Sequence, residues 1–181
     1  MGLRTYLQQR KIIRENQMNS REKAIKNWSQ IRSILILCSV KTADDWDRWN
    51  KYFVVPNSTK RDVFILGFNN DLSKELLETY KNSLLLNKKD LNWFGMIKNP
   101  TVIQHLFNQQ FDLVLDFNLE DTFLLNWIYV KTNASLRVGP GERLKMNSYF
   151  DLIINMDDSN TQPKLYLEQI INFLEKINLN G

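Results

Sequence analysis

Reactive and metal-binding side chains are nearly missing from this sequence. Its 181 residues include one cysteine, Cys38, and one histidine, His105. A single thiol forms no internal disulfide, so a reducing compartment, the cytoplasm, is the expectation. Cys38 closes the apolar run 34–38 and reads as a small buried side chain at a strand end. One Cys and one His cannot fill an ordinary structural zinc site, and the carboxylates show no calcium-loop spacing. No metal and no cofactor is therefore expected. Glycine and proline are scarce too, at 6 and 4, which leaves little material for a phosphate cradle. The patterns G-x-G-x-x-G, G-x-x-x-x-G-K-[ST] and G-x-S-x-G do not occur. The run 34–38 is far too short to span a bilayer. The first 27 residues hold no apolar core of the length a signal peptide needs. Met1-Gly2 does not complete a myristoylation motif, because position 6 is Tyr6.

Acidic residues are sparse in one place. Between positions 1 and 32 stand Arg4, Arg10, Lys11, Arg14, Arg21, Lys23, Lys26 and Arg32, against only Glu15 and Glu22. That is a net +6 in a chain whose total is +4, so the remainder carries −2. A basic segment ahead of a slightly acidic body points to an anionic partner for the segment. The residues expected to face it are Arg4, Arg10, Lys11, Arg14, Arg21, Lys23 and Lys26. RNA or the ribosome is the first expectation, a peripheral membrane surface the second, and a protein partner the third.

What is present in quantity is ordinary for a globular domain: 43% hydrophobic and 24% charged residues. Residues 3–29 lack Pro and favour a helix, bent or broken near Asn16, Asn19 and Ser20. The apolar run 34–38 predicts a strand covered on both faces. Thr42, with Asp44 and Asp45 behind it, predicts a helix start, and Trp46, Trp49 and Phe53 recur at helical spacing. That helix should stop before Pro56. Residues 63–68 predict a second strand and 72–80 a short helix. Residues 84–86 and 92–96 are candidate strands around a polar turn. Asn99-Pro100 opens a helix with Pro at its first position, and 111–117 is the clearest strand. Glu120 and Asp121 open an apolar helix through Trp127 and Val130. Residues 134–138 and 150–155 predict two more strands, and Pro163 begins an amphipathic C-terminal helix. Strands alternating with helices imply a parallel sheet.

Asp112 and Asp116 bracket the strand 111–117 on one face. Asp112 belongs at its solvated N-terminal end. Asp116 belongs at its C-terminal end, where open α/β sheets hold their ligands. Gly139-Pro140-Gly141 reads as a turn; Pro140 removes an amide that an anion would need.

The stretch from Phe111-Asp112-Leu113-Val114-Leu115-Asp116, through an apolar helix, to Ala134-Ser135-Leu136-Arg137-Val138-Gly139 resembles the acceptor-side domain of heptosyltransferase-like GT-B glycosyltransferases. There a "YDLVIDL" strand, an apolar helix and an "A-x-x-R-(I/V)-G" strand follow in that order. The whole chain also resembles a small bacterial family of unknown function. The glycosyltransferase resemblance implies a small nucleotide-sugar or sugar-phosphate binding relative, with Ser39, Asp116, Arg137, Gly139 and Gly141 at the ligand. Those enzymes bind the donor on a second α/β domain and hold a glycine near the loop 39–42, and neither feature is found in this chain. The expectations are thus a single Rossmann-like three-layer α/β domain over residues 31–181, with a mostly parallel sheet and a basic helical arm at 1–30. The function expected first is binding without catalysis, through the arm.

Overall fold

The computed structural model describes residues 2–53, 61–70, 80–118, 120–143, 145–155 and 163–177. Six strands form one sheet: β1 (Ser33–Ser39), β2 (Asp62–Asn69), β3 (Ser83–Asn87), β4 (Gln110–Phe117), β5 (Asn133–Pro140) and β6 (Leu152–Ile154). Their spatial order is β3-β2-β1-β4-β5-β6, and every pairing is parallel. The chain steps outward from β1 to β3, then returns to the other side of β1 for β4. The switch point, where crossovers part and leave a crevice, therefore lies between β1 and β4.

The apolar runs follow from this position. In β1, Leu35 and Leu37 enter the core on one face of the sheet, while Ile34, Ile36 and Cys38 enter the core on the other. Successive side chains point oppositely, and both directions are dry. One face is covered by α3 (Gln104–Asn108) and α4 (Phe123–Lys131), the other by α2 (Ala43–Phe53) and α5 (Pro163–Lys176). The α2 start is capped as the sequence implies, with the Asp45 amide donating to Thr42 Oγ1 at 3.1 Å. Trp46, Trp49 and Phe53 are buried. Gly67 makes room for them: a Cβ there would lie 2.6 Å from the Trp46 ring.

Three expectations change. Residues 92–96 are no strand but the tip of a hairpin turn, closed by a single antiparallel bridge between Leu91 and Ile97. The glycine there, Gly95, has φ +87°, a value that suits a turn and not a strand. The apolar helix begins at Phe123, and Asp121 lies ahead of it with its side chain engaged by Asn126, Arg143 and Lys145. Pro100 starts a 3-10 turn, Pro100–Ile103, before the short α3. The expected helix at 72–80 lies outside the described residues except for Tyr80, as does Pro56.

The N-terminal segment is one helix, α1 (Leu3–Met18), followed by extended chain and a 3-10 turn, Trp28–Gln30. No side chain caps its start, and neither its first turn nor its last carries a dipole-matching charge. Such a helix gains its stability from packing. It packs on α4: Ile12 is buried, Trp127 Nε1 donates to Glu15 at 3.3 Å, and Gln8 donates to the Phe94 carbonyl at 2.6 Å. Asn19 Nδ2 lies 3.0–3.1 Å from the carbonyls of Val130, Lys131 and Thr132, the open C-terminal end of α4.

Candidate functional site

At the switch point, Ser39 ends β1 and its hydroxyl donates to Asn118 Oδ1 at 2.5 Å. The Asn118 amide donates to Asp116 Oδ1 at 2.8 Å. Asp116 is buried, and its other oxygen accepts from Arg143, a short contact. Arg143 is buried too; it also donates to Asn126 Oδ1 and lies 3.4 Å from Asp121. Burial pushes the Asp116 carboxyl up to about 6, against the opposing pull of Arg143 and the Asn118 amide. The chain's own groups thus engage both oxygens of Asp116.

The other residues assigned to a crevice are engaged elsewhere. The Arg137 guanidinium turns away from the carboxyl ends of the strands. It donates to the carbonyls of Val130 at 2.7 Å and Thr132 at 3.0 Å, and to Asn16 Oδ1 at 3.0 Å. The partial negative charge at the end of α4 attracts it there. Burial lowers its pKa to about 10. Arg137 and Asp116 do not pair. Gly139 lies under the Phe150 ring, and Gly141 against Asn155; a Cβ at either would fall within 2.2 Å of those side chains. The glycine turn is filled by protein. Cys38 is fully buried, and burial pushes its thiol well up. Asp112, expected in solvent, accepts from the amides of Arg32 at 2.7 Å and Ser33 at 3.0 Å, and from Lys26 at 2.5 Å. Of these groups, Arg143 and Asn118 escaped sequence reading. Arg143 stands two residues beyond the glycine turn, and no periodicity marks a side chain that reaches across to another strand.

The seven cations of the arm divide in two. Arg21 and Lys23 reach Asp151 at 2.5 and 3.1 Å, Lys26 reaches Asp112, and Lys11 reaches Glu15 at 3.3 Å within α1. Arg4, Arg10 and Arg14 are exposed and make no ion pair among the described residues. Leu3, Leu7, Arg10, Arg14 and Met18 recur at three- and four-residue steps on the face opposite Ile12. The helix's only acid, Glu15, lies off that face, between Lys11 and Trp127. Arg4 sits a quarter-turn round, beside the 92–96 turn: a Cβ at Gly95 would lie 3.3 Å from its Nη2. That turn adds exposed Lys88, Lys89 and Lys98 at its base and exposed Trp93 at its tip.

A cavity of about 190 Å³ lies between α1, the start of α4 and residues 145–149, lined by Gln8, Ile12, Phe123, Asp121, Lys145 and Tyr149 among others. It is below the ~300 Å³ at which drug-sized ligands are usually held.

Strand order, layers and switch point together define a Rossmann-like three-layer α/β protein. Within that class the chain belongs to a family of unknown function, DUF6913, whose model matches residues 5–177. No curated protein and no solved structure matches the chain. Among the described residues, no helix is long and apolar enough to cross a membrane.

Proposed function

We propose that this is a non-catalytic binding protein whose N-terminal helix engages an anionic partner, RNA or an RNA assembly such as the ribosome. The observation that carries the reading is that Arg4, Arg10 and Arg14 are exposed and pair with no acid among the described residues, while the other four cations of the arm are taken up by ion pairs; Arg10 and Arg14 share an acid-free face, and Arg4 lies a quarter-turn round from it. Arginines left unpaired are costly in side-chain entropy to order and suit phosphate geometry. The rise of 1.5 Å per residue places Arg10 and Arg14 about 9 and 15 Å along the helix from Arg4, within the span of a few nucleotides.

Three phosphate contacts to a single strand give a log–log salt slope of about −2. Fluorescence anisotropy with a labelled RNA should show that slope for the natural chain. Replacing Arg4, Arg10 and Arg14 by Ala together should bring it close to zero without unfolding the body, since none of the three is buried. An unchanged slope in that variant overturns the reading. The alternative, a nucleotide-sugar or sugar-phosphate site around Ser39, Asp116, Arg137, Gly139 and Gly141, has less support. Asp116, Arg137 and both glycines are held or covered by other parts of the chain.

A further inference from the structure

Trp93 is 77% exposed, the most exposed of the large hydrophobic residues described. Its mounting is unusually well built for a solvated side chain. The Asn92 amide donates to the Met96 carbonyl at 2.8 Å, and the Gly95 amide to the Asn92 carbonyl at 2.9 Å. Asn92 Oδ1 accepts from the amides of Phe94 at 2.9 Å and Met96 at 3.1 Å. Gly95 supplies the positive φ that the turn requires. The Trp93 ring meets Phe94 edge-on at 5.6 Å, and Phe94 meets Phe123 of α4 edge-on at 5.7 Å. The indole is therefore braced at one edge through Phe94 to the core while most of its surface stays open. Around it the charge is positive. Lys88, Lys89 and Lys98 flank the hairpin base, and Arg4 lies against Gly95. Of the acids described nearby in the chain or the fold, Asp90 at the hairpin base accepts from the Asn87 amide at 2.8 Å, and Asp121 pairs with Lys145.

We infer that Trp93 is a stacking platform for an unpaired nucleobase, and that the partner of Arg4, Arg10 and Arg14 is single-stranded RNA. The inference rests on the RNA reading above and narrows it. Stacking on an exposed aromatic ring tolerates any base but requires that the base be free of a duplex, and cations beside the ring track the backbone. A fixed ring loses little freedom on binding, which makes a braced indole better suited to this than a mobile one. A rigid apolar tip ringed by cations also fits an anionic lipid surface, and the test separates the two.

The test uses the full chain, a labelled 12-nucleotide single-stranded RNA of mixed sequence, the matching duplex, and vesicles of phosphatidylglycerol with phosphatidylcholine. Trp93→Ala should weaken single-strand binding by roughly 5- to 150-fold. It should leave the salt slope and the duplex affinity as they were. Trp93→Phe should keep most of the affinity. The exposed position predicts unchanged circular dichroism for both variants. Arg10→Ala with Arg14→Ala should instead lower the slope on strand and duplex alike. If that pair of changes weakens binding and Trp93→Ala does not, the stacking platform is overturned and the RNA reading stands. If the natural chain binds neither RNA but binds the vesicles, with a blue shift in emission that Trp93→Phe removes, both are overturned.

Discussion

Arg143 shows how a single side chain decides the character of the switch point. In a Rossmann-like sheet the carboxyl end of the strand beside the crossover is open to ligands. Here Asp116 occupies that end, but Arg143 enters from beyond β5 and closes it with a buried ion pair that also engages Asn126. A carboxylate left buried without its cation is costly, whereas a buried pair compared with an apolar pair is nearly neutral. Arg143→Ala should therefore destabilise the fold at pH 7 by about 3–5 kcal/mol. Adding Asp116→Asn should recover part of that loss, because the neutral amide keeps an acceptor for the Asn118 amide. At pH 5 the single variant should lose less, since the carboxyl can take a proton. Urea denaturation of the two single variants and the double variant at both pH values gives the coupling directly. Strict additivity would mean that the pair is not coupled.

At the level of elements, α1 is both a support and a presenting surface. Its inner face supplies Ile12, Glu15 and Asn16, and Asn19 follows to close the end of α4. Its outer face keeps the arginines. Asn19→Ala removes the side-chain amide shared by the Val130, Lys131 and Thr132 carbonyls, of which Arg137 still reaches Val130 and Thr132, and should cost about 0.5–1.5 kcal/mol. Deleting residues 2–18 should cost more, because it also removes the burial of Ile12, worth about 1.5–3 kcal/mol, and the Asn16 partner of Arg137. Thermal unfolding checks both, and a truncated chain as stable as the full one would mean that α1 only rests on the surface. These contacts also show what sequence could convey. The strands were legible because a central parallel strand must be apolar on both faces, as in 34–38 and 113–115. The packing of α1 was not legible, since it depends on Asn16 and Asn19 reaching helix-end carbonyls, and such contacts leave no periodic trace. For the same reason the sequence left open whether the basic segment is free or packed; in the structure Arg21, Lys23 and Lys26 meet carboxylates of the body. The hairpin tip at 92–96 read as a strand because Trp and Phe favour strands, while the deciding residue was Gly95.

Over the whole molecule, part of the charge asymmetry between segment and body is spent on holding them together, through Arg21, Lys23 and Lys26. Asp151 takes Arg21 and Lys23, and Asp112 takes Lys26, so two carboxylates clamp the chain between α1 and β1. Burial pushes both carboxyls up. The hydrogen bonds outweigh it: from Lys26 and the Arg32 and Ser33 amides on Asp112, and from Arg21, the Arg137 amide and Lys23 on Asp151. Both pKa values end below the usual range. Asp116 moves the other way, to about 6. The two shifts act on stability with opposite sign. The clamps contribute fully above the unfolded carboxyl value of about 3.9 and are lost as pH falls through their lower folded values. Asp116 contributes fully below about 3.9, and its contribution is lost as pH rises through about 6. Urea midpoints should therefore pass through a maximum at about pH 4, falling on the acid side as the clamps are protonated and, between about pH 4 and 6, on the neutral side as Asp116 ionises. Asp151→Asn should flatten the acid limb and Asp116→Asn the neutral limb. If the midpoint still falls between about pH 4 and 6 in Asp116→Asn, the neutral limb belongs to another group. Because Arg4, Arg10 and Arg14 are held by neither clamp, acid release of the segment should leave their side chains free while removing the fixed orientation of α1. RNA affinity measured below the lowered folded values of Asp112 and Asp151 should then drop beneath its value at pH 5, although the protein carries more positive charge.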